Sequence, residues 1–306
     1  MTPGDQRRLT DAILPAVFAA ARIELQLFQT GCAVGTKADC SPVTEADVRA
    51  EAVLLEALAH IMPGVSAVSE EAFAAGHRPV PTDPFLLIDP LDGTKQFVAG
   101  FKEFTINIAV ISGGRPVYGL IYAPALADLM VTDGGRVLRA AHDVRVDAGL
   151  RVDASGGAAF NASSLADTGI SLDALRPHEV RARTMVEIDH SGGLVVLQSR
   201  SRDIAAAEAY LSGLPVIEQR RLGSSYKFCL VACGEGDIYA QLGDTSEWDT
   251  AAGEAIVLAA GGTVAGLDGE PLTYGHGARN FRNPPFVASS RPMAELRSRT
   301  MAGPAV

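Results

Sequence analysis

The stretch Phe85-Leu-Leu-Ile-Asp-Pro-Leu-Asp-Gly-Thr-Lys95 joins a short apolar run to two carboxylates and a turn. The run that closes at Asp89-Pro90 predicts a buried strand ending there, because proline donates no ladder hydrogen bond and restricts the residue before it. Asp92 follows across a proline-stiffened turn, and we expect a helical turn to start at Gly93. The sequence therefore predicts a strand, a turn with two acids and a short helix.

Two interpretations of these acids remain open at this stage. Carboxylates at a strand end are typical ligands of hard cations such as Mg²⁺, with Asp89, Asp92 and the Leu91 carbonyl as donors. Free N–H groups at a helix start beside such ions would bind phosphate, and the combination indicates phosphoryl chemistry. Asp, Pro and Gly are also ordinary turn residues, so a surface turn is the alternative.

The segments around this stretch predict a mixed order of helices and strands. Two strands at 105–111 and 117–122 are joined by a hairpin turn, and Thr44 is a natural N-cap for a helix that reaches Leu58. Farther along, strands alternate with helices, which indicates an α/β half. These later elements are strands at 193–197 and 238–241 and helices at 204–211, 227–233 and 250–260.

Composition and charge restrict the class of protein. The chain has 306 residues with 47% hydrophobic and 20% charged content, which excludes a disordered or collagen-like chain. Its net charge of −10 repels a phosphate backbone, so nucleic-acid binding through a basic face is not expected. An anionic substrate would therefore need cations placed locally.

No membrane-spanning segment is expected, because every apolar run is interrupted before about 18 residues. Arg7 and Arg8 before the apolar stretch 12–21 imitate a signal peptide, but Pro15 interrupts it. Apolar residues also continue at helical spacing to Leu27, which favours an amphipathic first helix. The four cysteines form no C-x-x-C pair, which fits a reducing cytoplasm. We expect a cytoplasmic location, free or at the periphery of the inner membrane.

Two further acidic segments lie beside predicted elements. Ser69-Glu-Glu71 follows a run at 65–68 that predicts another strand end. Glu247-Trp-Asp-Thr250 places an acid at the expected N-cap of a helix rich in Gly and Ala. Each alone is also explained as a helix cap or a solvated charge.

Taken together, these motifs resemble the inositol monophosphatase superfamily of Mg²⁺-dependent, lithium-sensitive phosphatases, and within it the bacterial 3′(2′),5′-bisphosphate nucleotidases. The resemblance covers about residues 41–286. The motifs that carry it are Ser41-Pro-Val-Thr-Glu-Ala-Asp47, Ser69-Glu-Glu71, Asp89-Pro-Leu-Asp-Gly-Thr-Lys95, Glu103-Phe-Thr-Ile-Asn-Ile-Ala109, Gly223-Ser-Ser-Tyr-Lys-Phe-Cys229 and Trp248-Asp-Thr-Ala-Ala-Gly253.

The resemblance implies a layered αβαβα sandwich with the active site between two halves. An α+β domain is expected over residues 1–137 and an α/β domain over residues 138–306. The stretch at about 140–186, rich in Ala, Gly, Ser and Asp, is expected to be an insertion or connection. Most metal ligands would come from the first domain.

The resemblance also implies the chemistry of the site. Roughly two or three Mg²⁺ ions would neutralise the ester oxygens and lower the pKa of bound water. Their implied ligands are Glu70, Asp89, the Leu91 carbonyl, Asp92 and Asp249. Asp47 and Thr94 are the implied pair that orients or deprotonates the attacking water. A first-turn helix acid is the alternative for Asp47.

Substrate contacts follow from two nucleotidase-like features. The chain has Asp-Gly-Thr-Lys95-Gln where inositol phosphatases carry Asp-Gly-Thr-Thr-Asn, and Gly223-Ser-Ser-Tyr-Lys227 also follows the nucleotidase pattern. The implied substrate-binding residues are Gly93, Thr94, Arg202, Ser224, Ser225, Lys227 and Asp249. A helix N-cap without a ligand is the alternative for the serines.

Arg202 departs from the family, which usually has a histidine at that position. A fixed cation there would favour a second phosphate on the substrate. A solvent-facing arginine is the alternative for this residue.

The implied activity is hydrolysis of 3′-phosphoadenosine 5′-phosphate to AMP and phosphate, and also of the 5′-phosphosulfate analogue, in sulfur assimilation. The expected partner is therefore a small phosphorylated nucleotide. The alternatives are an inositol or sugar monophosphatase of the same fold and, less favoured, a nucleotide-binding sensor without turnover. The oligomeric state is left open.

Overall fold

The computed structural model describes residues 1–37, 41–146, 169–201 and 204–301. Its helices are α1 (Pro3–Thr30), α2 (Glu45–Ile61), α3 (Glu70–Ala74), α4 (Thr94–Val98), α5 (Met185–His190), α6 (Ala205–Leu211), α7 (Tyr226–Ala232), α8 (Glu247–Ala259) and α9 (Met293–Met301). Its strands are β1 (Val34–Thr36), β2 (Pro42–Thr44), β3 (Ser66–Ser69), β4 (Phe85–Asp92), β5 (Thr105–Ser112), β6 (Arg115–Ala123), β7 (Asp128–Asp133), β8 (Arg136–Ala141), β9 (His178–Val180), β10 (Leu194–Ser199), β11 (Val216–Leu222), β12 (Ile238–Gln241), β13 (Thr263–Gly266) and β14 (Phe286–Ser289).

Two sheets carry most of these strands. Seven described strands form one sheet in the order β3-β4-β5-β6-β7-β8-β9, antiparallel except for the β3/β4 pair. Five form the other in the order β11-β10-β12-β14-β13, with β10 parallel to both of its neighbours. The predicted hairpin is the β5/β6 pair, with its turn at Gly113 and Gly114.

Helices cover both faces of each sheet. The helices α1 and α2 pack on one face of the seven-stranded sheet, and α7 and α8 fill the space between the two sheets. The outer face of the five-stranded sheet packs against side chains from α5, α6 and α9. This order of layers confirms the α/β fold expected from the sequence.

The strand β4 shows why its sequence is continuously apolar. Leu86 and Ile88 point into the core beneath α1 and α2, whereas Phe85 and Leu87 point into the core around α7 and α8. All four side chains are at most 4% exposed. A strand buried on both faces has no polar face to alternate with, so its sequence is an unbroken apolar run.

The prediction that this strand ends at Asp89-Pro90 was wrong. Strand β4 continues to Asp92, with Asp89 opposite Asn107 and Asp92 opposite Thr105. The register shifts between these two pairs, so the residue that lacks an N–H lies within the irregular part of the ladder. A bulge thus accommodates the proline without ending the strand.

Helix α8 also begins earlier than expected. Its N-cap is Ser246, and Asp249 is the third helical residue rather than the cap. Strand β11 was not predicted. It lies at the edge of its sheet, and Glu218, Gln219 and Arg221 are exposed, so the apolar signal of a buried strand is missing there.

The stretch interpreted as an insertion is partly described. Strand β8 reaches Ala141, and β9 pairs with β8 to extend the seven-stranded sheet. Residues 147–168 lie outside the described part. The division into domains at about residue 137 remains a proposal.

The predicted first helix is confirmed as α1, which runs through Pro15 and buries that residue. Within the described ranges, no helix is both long and apolar enough to cross a bilayer. Cys32, Cys229 and Cys233 carry free thiols, and Cys40 lies outside the described residues.

Candidate active site

Three acids from different elements converge beside the end of β4. Glu70 opens α3 directly after β3, Asp89 lies in β4, and Asp249 lies in the first turn of α8. Each offers a carboxylate oxygen, and these oxygens lie within 4.8 Å of one another. We call Glu70, Asp89 and Asp249 the acid group.

Asp89 is the most deeply buried member of the acid group. It is 1% exposed, and its Oδ2 has no hydrogen-bond partner among the described residues. Burial, followed by repulsion from Glu70, Asp92 and Asp249, raises its pKa well above the ordinary value. An unpartnered oxygen beside other carboxylates is relieved by a hard divalent cation, so the donor set fits Mg²⁺.

Helix α8 is anchored at the turn that carries Asp249. The Ser246 N–H donates to Asp249 Oδ2 at 2.8 Å, and Asn283 Nδ2 donates to the Ser246 carbonyl at 2.6 Å and to Thr250 Oγ1 at 3.0 Å. Glu247 accepts hydrogen bonds from two backbone N–H groups at positions 275 and 276. Sequence reasoning missed Asn283, because nothing local distinguishes it from a loop residue.

Asp92 lies in the same cleft but outside the acid group. Its Oδ2 accepts a short hydrogen bond from the Ser225 N–H, which joins the end of β4 to the start of α7. Burial raises the pKa of Asp92, while the Lys227 charge acts in the opposite direction. Leu91, also a predicted ligand, lines the cleft.

Gly93 links Asp92 to α4, and other parts of the chain pack closely against its backbone. Its φ of 96° is in the left-handed region, and an added Cβ would lie 3.1 Å from Ser224 Cβ and 3.2 Å from the Glu103 carbonyl. Both constraints favour glycine. The expected helical turn does begin here, as the five-residue α4.

Asp47 uses its two carboxylate oxygens for different purposes. Oδ2 accepts hydrogen bonds from the Thr44 N–H at 2.7 Å and the Thr44 hydroxyl at 2.6 Å, which completes the capping box of α2. Oδ1 accepts from the Thr94 hydroxyl at 2.9 Å. Burial raises the pKa of Asp47 although these bonds favour its charged form. Asp47 is thus both the first-turn helix acid and the partner of Thr94.

The segment at the start of α7 is more structural than the sequence suggested. Ser225 is 2% exposed, and its hydroxyl donates to Asn107 Oδ1 at 2.7 Å and lies 2.7 Å from Thr105 Oγ1. Lys227 Nζ donates to the Ser224 carbonyl at 2.5 Å and lies 4.7 Å from the centre of the Tyr239 ring. All three predicted residues line the cleft with these contacts in place.

Gly223 packs against the opposite wall of this interface. A Cβ at this position would lie 2.2 Å from Gln96 Cγ and 3.0 Å from the Glu103 carbonyl. Only a residue without a side chain fits there unless the neighbours move. Close packing of α4 on the segment before α7 therefore supports the Ser225–Asp92 contact.

Lys37 is a site residue that sequence reasoning missed. Its Nζ donates to Glu70 Oε1 at 2.6 Å and to Glu71 Oε1 at 2.5 Å, and its side chain is 8% exposed. Burial lowers the pKa of Lys37, but the two glutamates outweigh burial and raise it. One signal was available. The chain has only four lysines, and three of them, Lys37, Lys95 and Lys227, line the cleft or the cavity beside it.

The cleft itself has a volume of about 200 Å³. It brings together the predicted residues Glu70, Leu91, Asp92, Gly93, Thr94, Ser224, Ser225, Lys227 and Asp249. Arg202 lies outside the described residues, although its neighbours Ser199 and Ser201 line the cleft.

Comparison with known proteins places this geometry in a family. The model of the inositol monophosphatase family matches residues 5–296, nearly the whole chain. The chain belongs to the inositol monophosphatase family. The family resemblance predicted from the motifs is thus confirmed.

Individual members of the inositol monophosphatase family are similar over most of their length. The chain is 34% identical over 256 residues to the 3′(2′),5′-bisphosphate nucleotidase CysQ of Escherichia coli K12. The alignment covers 84% of this chain and 88% of that protein. The chain is 36% identical over 250 residues to CysQ of Salmonella typhimurium, with 82% and 86% covered.

Solved structures of the inositol monophosphatase family share the fold. CysQ from Bacteroides thetaiotaomicron superposes with a TM-score of 0.69 at 29% identity and covers 93% of this chain and 97% of that one. An inositol monophosphatase from Anabaena, at 21% identity and a TM-score of 0.66, supports the fold alone. The protein is a phosphoric monoester hydrolase, as the motifs predicted.

Proposed function

We propose that this protein is a Mg²⁺-dependent 3′(2′),5′-bisphosphate nucleotidase. It removes the 3′-phosphate of 3′-phosphoadenosine 5′-phosphate to give AMP and phosphate. It also acts on 3′-phosphoadenosine 5′-phosphosulfate, which gives it a role in sulfur assimilation.

The observation that carries the proposal is that Glu70 and Asp249 of the acid group line one cleft together with Thr94, whose hydroxyl donates to Asp47. The anionic phosphate monoester is repelled by the carboxylates among which it must bind. Mg²⁺ held by Glu70, Asp89, the Leu91 carbonyl, Asp92 and Asp249 would neutralise that charge and lower the pKa of bound water. The protein's own side chains then position the water and accept its proton.

Asp47 and Thr94 supply the proton path in this proposal. The Thr94 hydroxyl donates to Asp47, so its lone pairs are left to accept a hydrogen bond from water. As the water attacks phosphorus, its proton passes to the Thr94 oxygen and the Thr94 proton passes to Asp47 Oδ1. The raised pKa of Asp47 makes its carboxylate a better proton acceptor.

Two lysines in the cleft favour a substrate with two phosphates. Lys95 and Lys227 line the same cavity as Glu70 and Asp249. In a chain of net charge −10, cations in this position offset the repulsion that a second phosphate would meet. The names of the CysQ relatives support the same substrate class.

A substrate panel tests the proposal. Phosphate release with Mg²⁺ is measured on 3′-phosphoadenosine 5′-phosphate, its phosphosulfate analogue, AMP, inositol 1-phosphate and fructose 1,6-bisphosphate. We expect the highest kcat/KM for the two bisphosphorylated nucleotides, no turnover in EDTA, and inhibition by Li⁺. A higher kcat/KM for inositol 1-phosphate would identify an inositol monophosphatase instead, and no release from any ester would identify a binding protein.

A further inference from the structure

A second cavity of about 380 Å³ opens beside the acid group. It shares Ser41, Glu70 and Asp249 with the main cleft and extends away from Ser224 and Lys227, which do not line it. We call this second cavity the side arm. Most of its remaining wall consists of residues to which the proposed reaction gives no role.

The charged side chains of the side arm favour an anion. Lys37, Arg78 and Arg282 line it together with two acids, Glu70 and Asp249. Lys37 is already paired with Glu70 and Glu71, so the cations on the far wall are Arg78 and Arg282. A divalent ion bound to the acids would make the side arm positive as a whole.

Arg78 is held in place by an aromatic ring of the same wall. Its guanidinium carbon lies 3.6 Å from the centre of the Phe73 ring, and its Nη1 donates to the Phe73 carbonyl and, at 3.3 Å, to the His77 carbonyl. Within the described part of the chain, its Nε and Nη2 donate to no protein acceptor. A stacked guanidinium with two such donors is suited to an oxyanion.

The floor of the side arm contains the only tryptophan of the chain. Trp248 is 6% exposed, packs on Phe73 with ring centres 5.4 Å apart, and directly precedes Asp249. Trp248 therefore lies between Asp249 and the Phe73 ring on which Arg78 stacks. We choose its fluorescence as the probe for ligands in the side arm.

We propose that the side arm binds the inorganic phosphate released by hydrolysis and provides its exit. The phosphate leaves the acid group along a wall that both cavities share, while the organic product lies on the Lys227 side. Separate paths let the two products leave independently. This inference rests on the phosphatase reaction and not on the choice of nucleotide, because every monoester substrate releases the same phosphate.

The experiment titrates inorganic phosphate into the Mg²⁺-loaded protein and follows Trp248 fluorescence. It compares the unaltered protein with Arg78→Gln and Arg282→Gln, and with Arg220→Gln as a control on the exposed edge strand β11. We expect the phosphate dissociation constant to rise several-fold in the first two variants and to stay unchanged in the control. The inhibition constant for product phosphate, measured by steady-state kinetics, should rise by a similar factor.

Two results would overturn the proposal. Unchanged phosphate affinity in both arginine variants would mean that phosphate binds at the acid group alone. A raised KM for bisphosphorylated substrates, with unchanged phosphate inhibition, would assign the arginines to the second phosphate of the substrate.

The experiment also covers two complications. Should the arginine variants fail to fold, phosphate must still slow amide hydrogen exchange in the segment 73–78 of the unaltered, Mg²⁺-loaded protein, and absence of protection refutes the side arm. The titration uses no substrate, so a failure of the nucleotidase proposal leaves it interpretable.

Discussion

The Thr94 hydroxyl lies 2.9 Å from Asp47 Oδ1 and joins the start of α4 to the start of α2. The other oxygen of the same carboxylate is occupied by Thr44. One aspartate thus stabilises its own helix and orients a hydroxyl in the cleft. A substitution of Asp47 would disturb both roles, so Thr94 is the better residue for a test of water activation.

Removal of the Thr94 hydroxyl should slow the chemical step. For Thr94→Ala we expect kcat to fall by roughly 10²–10⁴ with a smaller change in KM, because a positioned proton acceptor acts mainly in the transition state. Thr94→Ser keeps the hydroxyl and is the matched control, which should retain most of kcat. Steady-state kinetics on the preferred substrate measure both. An alanine variant that loses affinity and keeps kcat would instead assign Thr94 to phosphate binding.

Neutralising one member of the acid group should separate metal binding from folding. In Asp89→Asn the repulsion among the buried carboxylates is smaller, so the metal-free protein should unfold at the same or a higher temperature. The rise in Tm that Mg²⁺ gives the unaltered protein should be lost, together with activity. Thermal unfolding with and without Mg²⁺ measures this effect. Glu218→Gln, at an exposed position, is the control. A normal rise in Tm with Mg²⁺ in Asp89→Asn would show that Asp89 is not a metal ligand.

A side chain at position 223 should disturb the substrate side of the cleft. Gly223→Ala places a Cβ within 2.2 Å of Gln96 Cγ, so the segment that holds Ser225 against Asp92 must move. We expect KM to rise several-fold and Tm to fall. Gly4→Ala, where the nearest atom lies 3.6 Å away, is the control with room for a methyl group. Unchanged KM in Gly223→Ala would show that this contact does not shape the substrate site.

The pH dependence of stability should reveal a buried acid in α8. Glu254 is fully buried, accepts a hydrogen bond from the Tyr274 hydroxyl at 2.6 Å and lies 3.3 Å from Arg115. Burial raises its pKa to about 7 from an ordinary value near 4.5, so the unfolded chain releases this proton at lower pH than the folded protein does. The free energy of unfolding should therefore decrease between about pH 4.5 and 7, by up to roughly 3 kcal/mol, and then level off.

Glu254→Gln should flatten that decrease, because it removes the titrating group and keeps an acceptor for Tyr274. Denaturant unfolding at pH 5, 6, 7 and 8 gives the comparison. Parallel pH profiles for the variant and the unaltered protein would show that Glu254 does not titrate in this range.

Arg202 remains a prediction from the sequence. If its guanidinium pairs with the 5′-phosphate, Arg202→Ala should raise KM several-fold for the bisphosphorylated nucleotide and leave AMP or inositol 1-phosphate hydrolysis nearly unchanged. Steady-state kinetics on both substrates measure this difference. Equal effects on the two classes, or none, would indicate a solvent-facing arginine.

The sequence predicted best where several residues had to satisfy one local requirement. The motifs around Asp47, Asp89 and Asp249 combine helix starts, a strand end and acids. In the structure Asp89 and Asp249 converge with Glu70, and Asp47 accepts a hydrogen bond from Thr94. Lys37 was missed because its role depends on contact with Glu70 and Glu71, far along the chain. Local pattern carries no information on such a contact.

Edge strands and contacts between distant parts of the chain could not be predicted from local sequence patterns either. Strand β11 has a polar, exposed sequence because it pairs on one side only, so no apolar run marks it. The hydroxyl of Ser225 is bonded to Asn107 and lies beside Thr105 on the neighbouring sheet, whereas its contact with substrate stays a prediction. The packing of α7 against the sheet determines which side chains contact Ser225, and residue spacing does not predict that packing.

The position of Asp249 on α8 has a consequence for how the protein matures in the cell. Helix α8 belongs late in the chain but packs against β4, β5 and β6. During synthesis, Glu70 and Asp89 leave the ribosome well before Asp249, by roughly 8 to 30 s at ordinary elongation rates. A nascent chain in that interval has an incomplete set of acids. The full metal affinity that the proposed reaction requires therefore arises only after α8 has been synthesised and has docked on these strands.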